Sequence, residues 1–314
     1  MDGGNHARRG SAHRLKGGRV MMGALLAAAV LGACQDLPLH PGGGRALPPD
    51  APALLLNPLC AGNLGQTHTG TITTPVTWTR SNNPHRVTSS VNVSTGGELT
   101  LQPGVIVCFS QYTSLQATSG GRLVAQGLDT AQIVLTARDP VAGWYGVYLQ
   151  GEPASASLLT HVRIEHTSLQ SAGLWSSYHP VVIDSSVVRQ TGHGVNLQGR
   201  GARMVRSRVD TTTNRDVAAV TLGDSVRLEQ TVVRGAAGTG VYVEGFAGVH
   251  LLGVRVEGAG GVGLRVPASG VITSSQPVRV VNGLSYGAEL SAAAMASIYP
   301  GLSDQDSLVG TARD

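Results

Sequence analysis

The chain has 314 residues, of which 13% are charged and 4% aromatic, and it contains 43 glycines. Its formal charge of +4 sits near the N-terminus: residues 1–33 hold five basic and one acidic residue, leaving 18 basic (23 − 5) and 18 acidic (19 − 1). A chain neutral over its bulk offers no general attraction for nucleic acid, and one poor in aromatics and rich in glycine must build an aliphatic core with frequent turns.

Residues 1–33 read as a processing segment. Arg8, Arg9, Arg14, Lys16 and Arg19 precede an apolar run from Val20 to Leu31. The run falls short of the roughly 20 apolar residues a membrane-spanning helix needs. It ends in Leu31-Gly32-Ala33-Cys34, which resembles a bacterial lipoprotein signal; an ordinary signal peptide is the alternative. The resemblance implies cleavage before Cys34, a lipid on its thiol and amine, and membrane attachment through that lipid. With Gln35 rather than Asp after the cysteine, it further implies an outer-membrane address, facing the periplasm or the cell surface. Residues 34–62 carry Pro38, Pro41, Pro48, Pro49, Pro52 and Pro58 with a Gly42 to Gly44 run, the composition of a flexible tether.

The Thr-rich stretch from Asn63 to Pro84 predicts the first, irregular strands. Beyond it the sequence repeats. Thr95-Gly96-Gly97-Glu98-Leu99 is echoed 24 residues later by Ser119-Gly120-Gly121-Arg122-Leu123. Val188, Val209, Val233, Val256 and Val280 recur at steps of 21, 24, 23 and 24. Two companion series, Val181/Ala202/Val226/Val249/Val271 and Val195/Val220/Val241/Leu264/Ala288, recur with them. Three strand-like segments repeating together at such a period indicate a solenoid. The reading is an all-β parallel β-helix over 63–290, roughly nine turns of 21–25 residues, followed by a cap or tail at 291–314. Such an end cover is expected because an open sheet edge invites association. Ser291 to Ile298 is its candidate, as a short helix or strand.

Gly96-Gly97-Glu98-Leu99-Thr100-Leu101-Gln102-Pro103-Gly104 together with Gly143-Trp144-Tyr145-Gly146-Val147-Tyr148-Leu149 resembles right-handed parallel β-helix repeat proteins, the pectin-lyase-like fold. The resemblance covers about residues 85–290 and implies fold far more than activity.

Side chains alternate along a strand. In the third series the aliphatic positions flank Asn196, Thr221, Tyr242, Arg265 and Glu289, which are predicted to face water. In the valine series the residues following the inward position read Glu165, Arg189, Asp210, Arg234, Glu257, Val281. Those preceding it read Arg163, Val187, Arg208, Val232, Arg255, Arg279. Opposite charges one strand apart contribute roughly 0.2–1 kcal/mol per pair, so the alternating column reads as a register-setting ladder. Taken together, Arg163, Arg189, Arg208, Arg234, Arg255 and Arg279 outnumber Glu165, Asp210 and Glu257, and the face is also a candidate track for an anionic polysaccharide.

Cys60 and Cys108 remain as a pair, and in an exported protein they suggest a disulfide. Their separation of 48 residues is two turns, or roughly 9–10 Å of stacked strands, beyond the ~7 Å a disulfide tolerates. Cys60 is therefore expected off the regular coil, on a segment folded over the N-terminal end.

Catalytic groups are sparse. Gly192-His193-Gly194 is similar to one motif of polygalacturonase-type hydrolases. Those enzymes also need paired aspartates as acid and base, and no Asp-Asp pair exists here. Lys16 is the sole lysine and lies in the leader, which leaves no lysine base for a uronate lyase. No histidine set or acidic cluster marks a metal site, the Asp304/Asp306 pair reading as a solvated tail. Nothing implies a cofactor. Trp144, Tyr145, Tyr148, Trp175 and Tyr178 cluster, either as turn packing or as rings to stack on sugars. The expectation is a monomeric, lipid-anchored envelope module for binding, adhesion or structure, with polysaccharide as its partner. The alternative is a polysaccharide lyase or glycoside hydrolase of the same fold, which would require ionisable groups converging in a cleft.

Overall fold

Nine turns of chain stack along one axis, each contributing three short strands. In the computed structural model, which describes residues 56–61, 65–245, 248–274, 278–281, 286–290 and 308–309, every strand pairing between turns is parallel. The leader with Cys34, most of the tether and Ser291 to Ile298 lie outside these residues. The first face is a nine-stranded sheet from Pro75–Trp78 to Ile272–Ser274. The second runs from Ile106–Phe109 to Arg279–Val281 and the third from Ser114–Ala117 to Tyr286–Leu290. The long first-turn strand His85–Val93 crosses the corner between the second and third faces. Thr67–Ile72 precedes it at the N-terminal end and Leu308–Val309 pairs with Arg279–Val281.

The sequence folds this way because each strand hides alternate residues. The columns Val188–Val209–Val233–Val256–Val280 and Val195–Val220–Val241–Leu264–Ala288 stand in direct register. Their members up to Leu264, together with Val280, are buried in one continuous aliphatic core. The series that starts at Val181 holds as far as Val249, whose partner is Ile272 and not Val271. Ile272 is 2% exposed and Val271 42%. A one-residue shift exchanges the two sides of a strand, and the turn entering this strand carries one residue more than the series assumed.

The corners make the stack possible. The residue after each ladder charge turns the chain in the left-handed region: His166, Gln190, Thr211, Gly235 and Gly258, with φ between 51° and 62°. A second corner column does the same at His161, Ser185, Arg206, Gln230 and Gly253. Just beyond it, buried hydroxyls satisfy the backbone. Ser186 Oγ accepts from Val162 N at 3.1 Å, and Ser207 Oγ accepts from Ser186 N at 3.1 Å. At the third corner space is short: a Cβ on Gly194 would lie 2.3 Å from Ala219 O and 2.4 Å from Val209 Cγ1.

A serine and a histidine are buried together. Ser157 occupies an inward position between Leu123 and Val181 and is fully buried with His179. Its Oγ accepts from Leu123 N at 3.0 Å and lies 2.8 Å from His179 Nε2. Burial lowers the His179 pKa, which keeps its ring neutral and able to accept the serine proton.

Cys60 and Cys108 are bonded, with Cα atoms 5.8 Å apart. Cys60 ends a short 3-10 turn, Pro58–Cys60, off the regular coil. This segment does not cover the N-terminal end; it straps the outer side of the second face. Asn57 N donates to Arg138 O at 3.0 Å, and Asn57 Nδ2 donates to Thr136 Oγ1 at 2.8 Å. Thr136 Oγ1 in turn lies 3.0 Å from His166 Nδ1. The physical reason is register: Cys108 alternates with the inward Val107 and Phe109, so its sulfur faces outward.

Candidate functional site

The six arginines lie where alternation places them, on the outer side of the second face. Glu165, Arg189, Asp210, Arg234, Glu257 and Val281 are successive register partners, and so are Arg163, Val187, Arg208, Val232, Arg255 and Arg279. Five of the six guanidiniums are ion-paired. Arg163 and Arg189 meet Glu165 at 3.1 and 2.7 Å. Arg208 meets Asp210 at 2.5 Å, Arg234 lies 3.9 Å from Asp210 and 3.5 Å from Glu257, and Arg255 closes on Glu257. Arg279 has no ion pair among the described residues. Each acidic group is thus shared by two arginines, within its strand or across to the next turn.

The third face has a different chemistry. Its central outward column runs Gln116, Tyr148, Trp175, Asn196, Thr221, Tyr242, Arg265, Glu289 without a break in register. The first six are uncharged and all partly exposed. Tyr148 and Trp175 meet edge to face with ring centroids 5.8 Å apart. Partial burial raises the Tyr148 phenol pKa, opposed by a hydrogen bond from Ser171. Tyr145 and Tyr112 stand beside the column, 39% and 65% exposed, with ring centroids 5.7 Å apart. Ser114, Gln116, Tyr145, Tyr148 and Gln150 enclose a depression of about 160 Å³ there. A second outward column carries Gln150, Ser177 and Gln198.

The five clustered aromatics therefore divide. Trp144 is fully buried, stacked on Phe109 at 3.8 Å and donating from Nε1 to Glu165 O at 2.9 Å. Tyr145, Tyr148, Trp175 and Tyr178 are on the outside. Gln116, Asn196, Gln198 and Tyr242 join them through register alone, a signal available wherever an outward position alternates with aliphatic neighbours.

Ionisable groups meet at the far end of the same face. His193, Asp216, Thr221, Tyr242, Glu244 and Arg265 line a depression of about 400 Å³. Burial lowers the His193 pKa, giving a neutral ring at physiological pH. Its Nε2 already receives the Asn214 amide at 3.3 Å, and Arg265 reaches Glu289 at 3.3 Å. His161 and His166 do not converge: His161 pairs with Asp129 at 2.7 Å, and His166 faces Thr136. Among the described residues no group of three or more His, Cys, Asp or Glu is placed to hold a metal ion, and no helix is long and apolar enough to cross a membrane. Comparison with protein-family models, curated proteins and solved structures returns no match.

Proposed function

We propose that this protein is a non-catalytic glycan-binding module of the cell envelope, and that an extended polysaccharide lies along the third face, parallel to the solenoid axis. The observation that carries this reading is the continuous column Gln116, Tyr148, Trp175, Asn196, Thr221, Tyr242. Apolar ring faces with amide and hydroxyl groups at fixed intervals suit a chain whose units present a C–H face and an equatorial rim of hydroxyls. Strand spacing of about 4.8 Å sets the interval. The arginine face supports such a role less well, because five of its six guanidiniums are already held by carboxylates.

A carbohydrate screen of the full chain tests this. Tyr148→Ala and Trp175→Ala are each expected to weaken binding about tenfold, about 1.4 kcal/mol per ring. Arg208→Glu/Arg255→Glu is expected to leave it unchanged. The reverse pattern would move the site to the arginine face.

The reading includes the right-handed, pectin-lyase-like form of the solenoid and attachment through lipid on Cys34 to the outer membrane. Cys34→Ser shifting the protein out of the membrane fraction supports the anchor; retention refutes it. A second reading, a glycan-cleaving enzyme, rests on the depression lined by His193, Asp216, Glu244 and Arg265. The bond from Asn214 to His193 Nε2 argues against that ring serving as the base. Release of new reducing or unsaturated ends from any bound polysaccharide, lost in His193→Ala, would establish it.

A further inference from the structure

The exposed apolar side chains of the solenoid are not scattered. Nine large ones stand exposed among the described residues, and six of them gather where the second face turns into the third: Leu56, Leu59, Tyr112, Val141, Tyr145 and Leu169. Three consecutive turns build this corner, from loops 110–113, 138–145 and 166–171. The loops pack directly on one another. Tyr145 N donates to Thr113 O at 2.8 Å, and a Cβ on Gly143 would lie 2.5 Å from Ser168 N. Tyr112 and Tyr145 bring their ring centroids to 5.7 Å. Asp139 Oδ1 accepts from Val141 N at 2.9 Å and from Ala142 N at 3.2 Å, which fixes the loop that holds Val141 out at 82% exposure. The strap adds Leu56 and Leu59 at the border, on either side of the Asn57 whose N–H bonds Arg138 O. The ridge ends abruptly. On the next turn the corner is Gly192, where a Cβ would lie 2.3 Å from Leu169 O. One turn further its exposed residues include Arg215 and Asp216.

Exposed apolar patches mark surfaces that meet another protein or a membrane, and size, position and charge separate the two. Six side chains offer roughly a few hundred Å², below the ~800 Å² per partner that a stable protein interface buries. A bilayer needs less, because an anchored chain meets it intramolecularly. Cys34 stands 22 residues ahead of Leu56 (56 − 34), and the chain between them enters the solenoid at the ridge itself. Aliphatic tips suit the acyl boundary, and tyrosine rings suit the headgroup level. Arg138 and Asp139, which flank Val141 in sequence, offset one another, so the surface does not call for anionic lipid. We infer that this ridge is a membrane-contact surface, seated in the interfacial layer of the bilayer that carries the Cys34 lipid. The inference rests on the anchor reading above and adds which side of the solenoid meets the lipid. Tyr148 and Trp175 project from the strands of the third face and lie outside the ridge.

Val141→Cys and Leu128→Cys, each carrying an environment-sensitive fluorophore, test it in the protein as the cell processes it, mixed with phosphatidylcholine vesicles. Leu128 is 54% exposed but sits at the corner between the first and second faces. Both proteins are expected to float with the vesicles. The Val141 label should shift to the blue and be quenched by brominated acyl chains, at low and high salt alike, and the Leu128 label should do neither. Tyr112→Asp/Leu169→Asp, two changes at exposed sites, is expected to abolish the shift of the Val141 label while the protein still floats. Flotation with the Val141 label still in water, a shift shared by both labels, or a shift surviving the double substitution overturns the ridge and leaves the anchor standing. Failure to float overturns both. A blue shift that needs no vesicles and grows with protein concentration overturns the lipid assignment, since a second copy then covers the ridge.

Discussion

The carboxylate of Glu165 is 2% exposed and lies 2.7 Å from the Arg189 guanidinium on the following turn. It also takes Arg163 at 3.1 Å. Four turns further along the same ladder Glu257 does the equivalent work at 25% exposure. One column thus spans the range from a buried ion pair to a solvated one. Glu165→Gln is expected to destabilise by about 1–3 kcal/mol, because two partly covered guanidiniums lose their charge partner. Glu257→Gln should cost under about 1 kcal/mol. Added salt should narrow the loss for Glu257→Gln and hardly change that for Glu165→Gln. Equal losses in chemical denaturation would show that burial does not grade the ladder.

Corner geometry gives a gain of stability. Thr211 is β-branched and sits at φ 54°, where the next two turns carry Gly235 and Gly258. Thr211→Gly is expected to raise stability by about 0.5–1 kcal/mol, relief of the left-handed penalty exceeding glycine's extra unfolded-state freedom. The opposite change at the crowded corner, Gly194→Val, should cost about 3 kcal/mol, the upper end for overpacking, because backbone and Val209 both stand within 2.4 Å of the new Cβ. A thermal melt of both variants, moving in opposite directions, checks the two corners together.

Acid should weaken the fold through its histidines. His68 is lowered to about 4 by burial and by the neighbouring His85, whose Nδ1 lies 2.8 Å from His68 Nε2. His85, His166, His179 and His193 are lowered too, each chiefly by burial. Unfolded histidines titrate near 6.5, so below that pH the unfolded chain binds more protons than the folded one. The stability these neutral rings contribute is complete above pH about 6.5 and lost as pH falls toward their folded values. Denaturation midpoints should therefore be flat above neutrality and decline below it, less steeply in His68→Gln. A midpoint independent of pH across that window would refute the account.

Reduction should loosen one locality. The Cys60–Cys108 bond closes a 48-residue loop, for which chain entropy gives about 4 kcal/mol, with 2–4 kcal/mol typical in practice. Cys108→Ser is expected to expose the Pro58–Cys60 turn and the outer side of Ile133–Ala137 to proteolysis or hydrogen exchange. The C-terminal turns should be unaffected, since solenoid stability is summed from neighbouring turns. Protection lost uniformly along the stack would contradict this.

The register was legible because alternation and period reinforce each other: Val188 through Val280 stack as their spacing says. It failed at Val271, where one added turn residue broke the count and handed the inward place to Ile272. The outward placing of Tyr148 and Trp175 follows from their aliphatic neighbours Val147, Leu149 and Leu174. Trp144 could not be placed that way, because it precedes its strand at a corner, and only the three-dimensional stack sets it on Phe109. The strap was invisible for another reason. Asn57 and Thr136 are 79 residues apart, and nothing periodic links a proline-rich segment to a particular strand.

The strap also determines where mechanical load enters. Once the hydrogen bonds of Asn57 to Arg138 and Thr136 give way, tension on the chain ahead of Cys60 reaches the solenoid at Cys108, through a covalent bond to a strand paired on both sides. Thr67–Ile72, whose loss would start unzipping from the end, lies inside the closed loop and is bypassed. A pull from that side must shear an interior strand against two neighbours rather than peel an edge, so the rupture force should drop sharply once the bond is reduced.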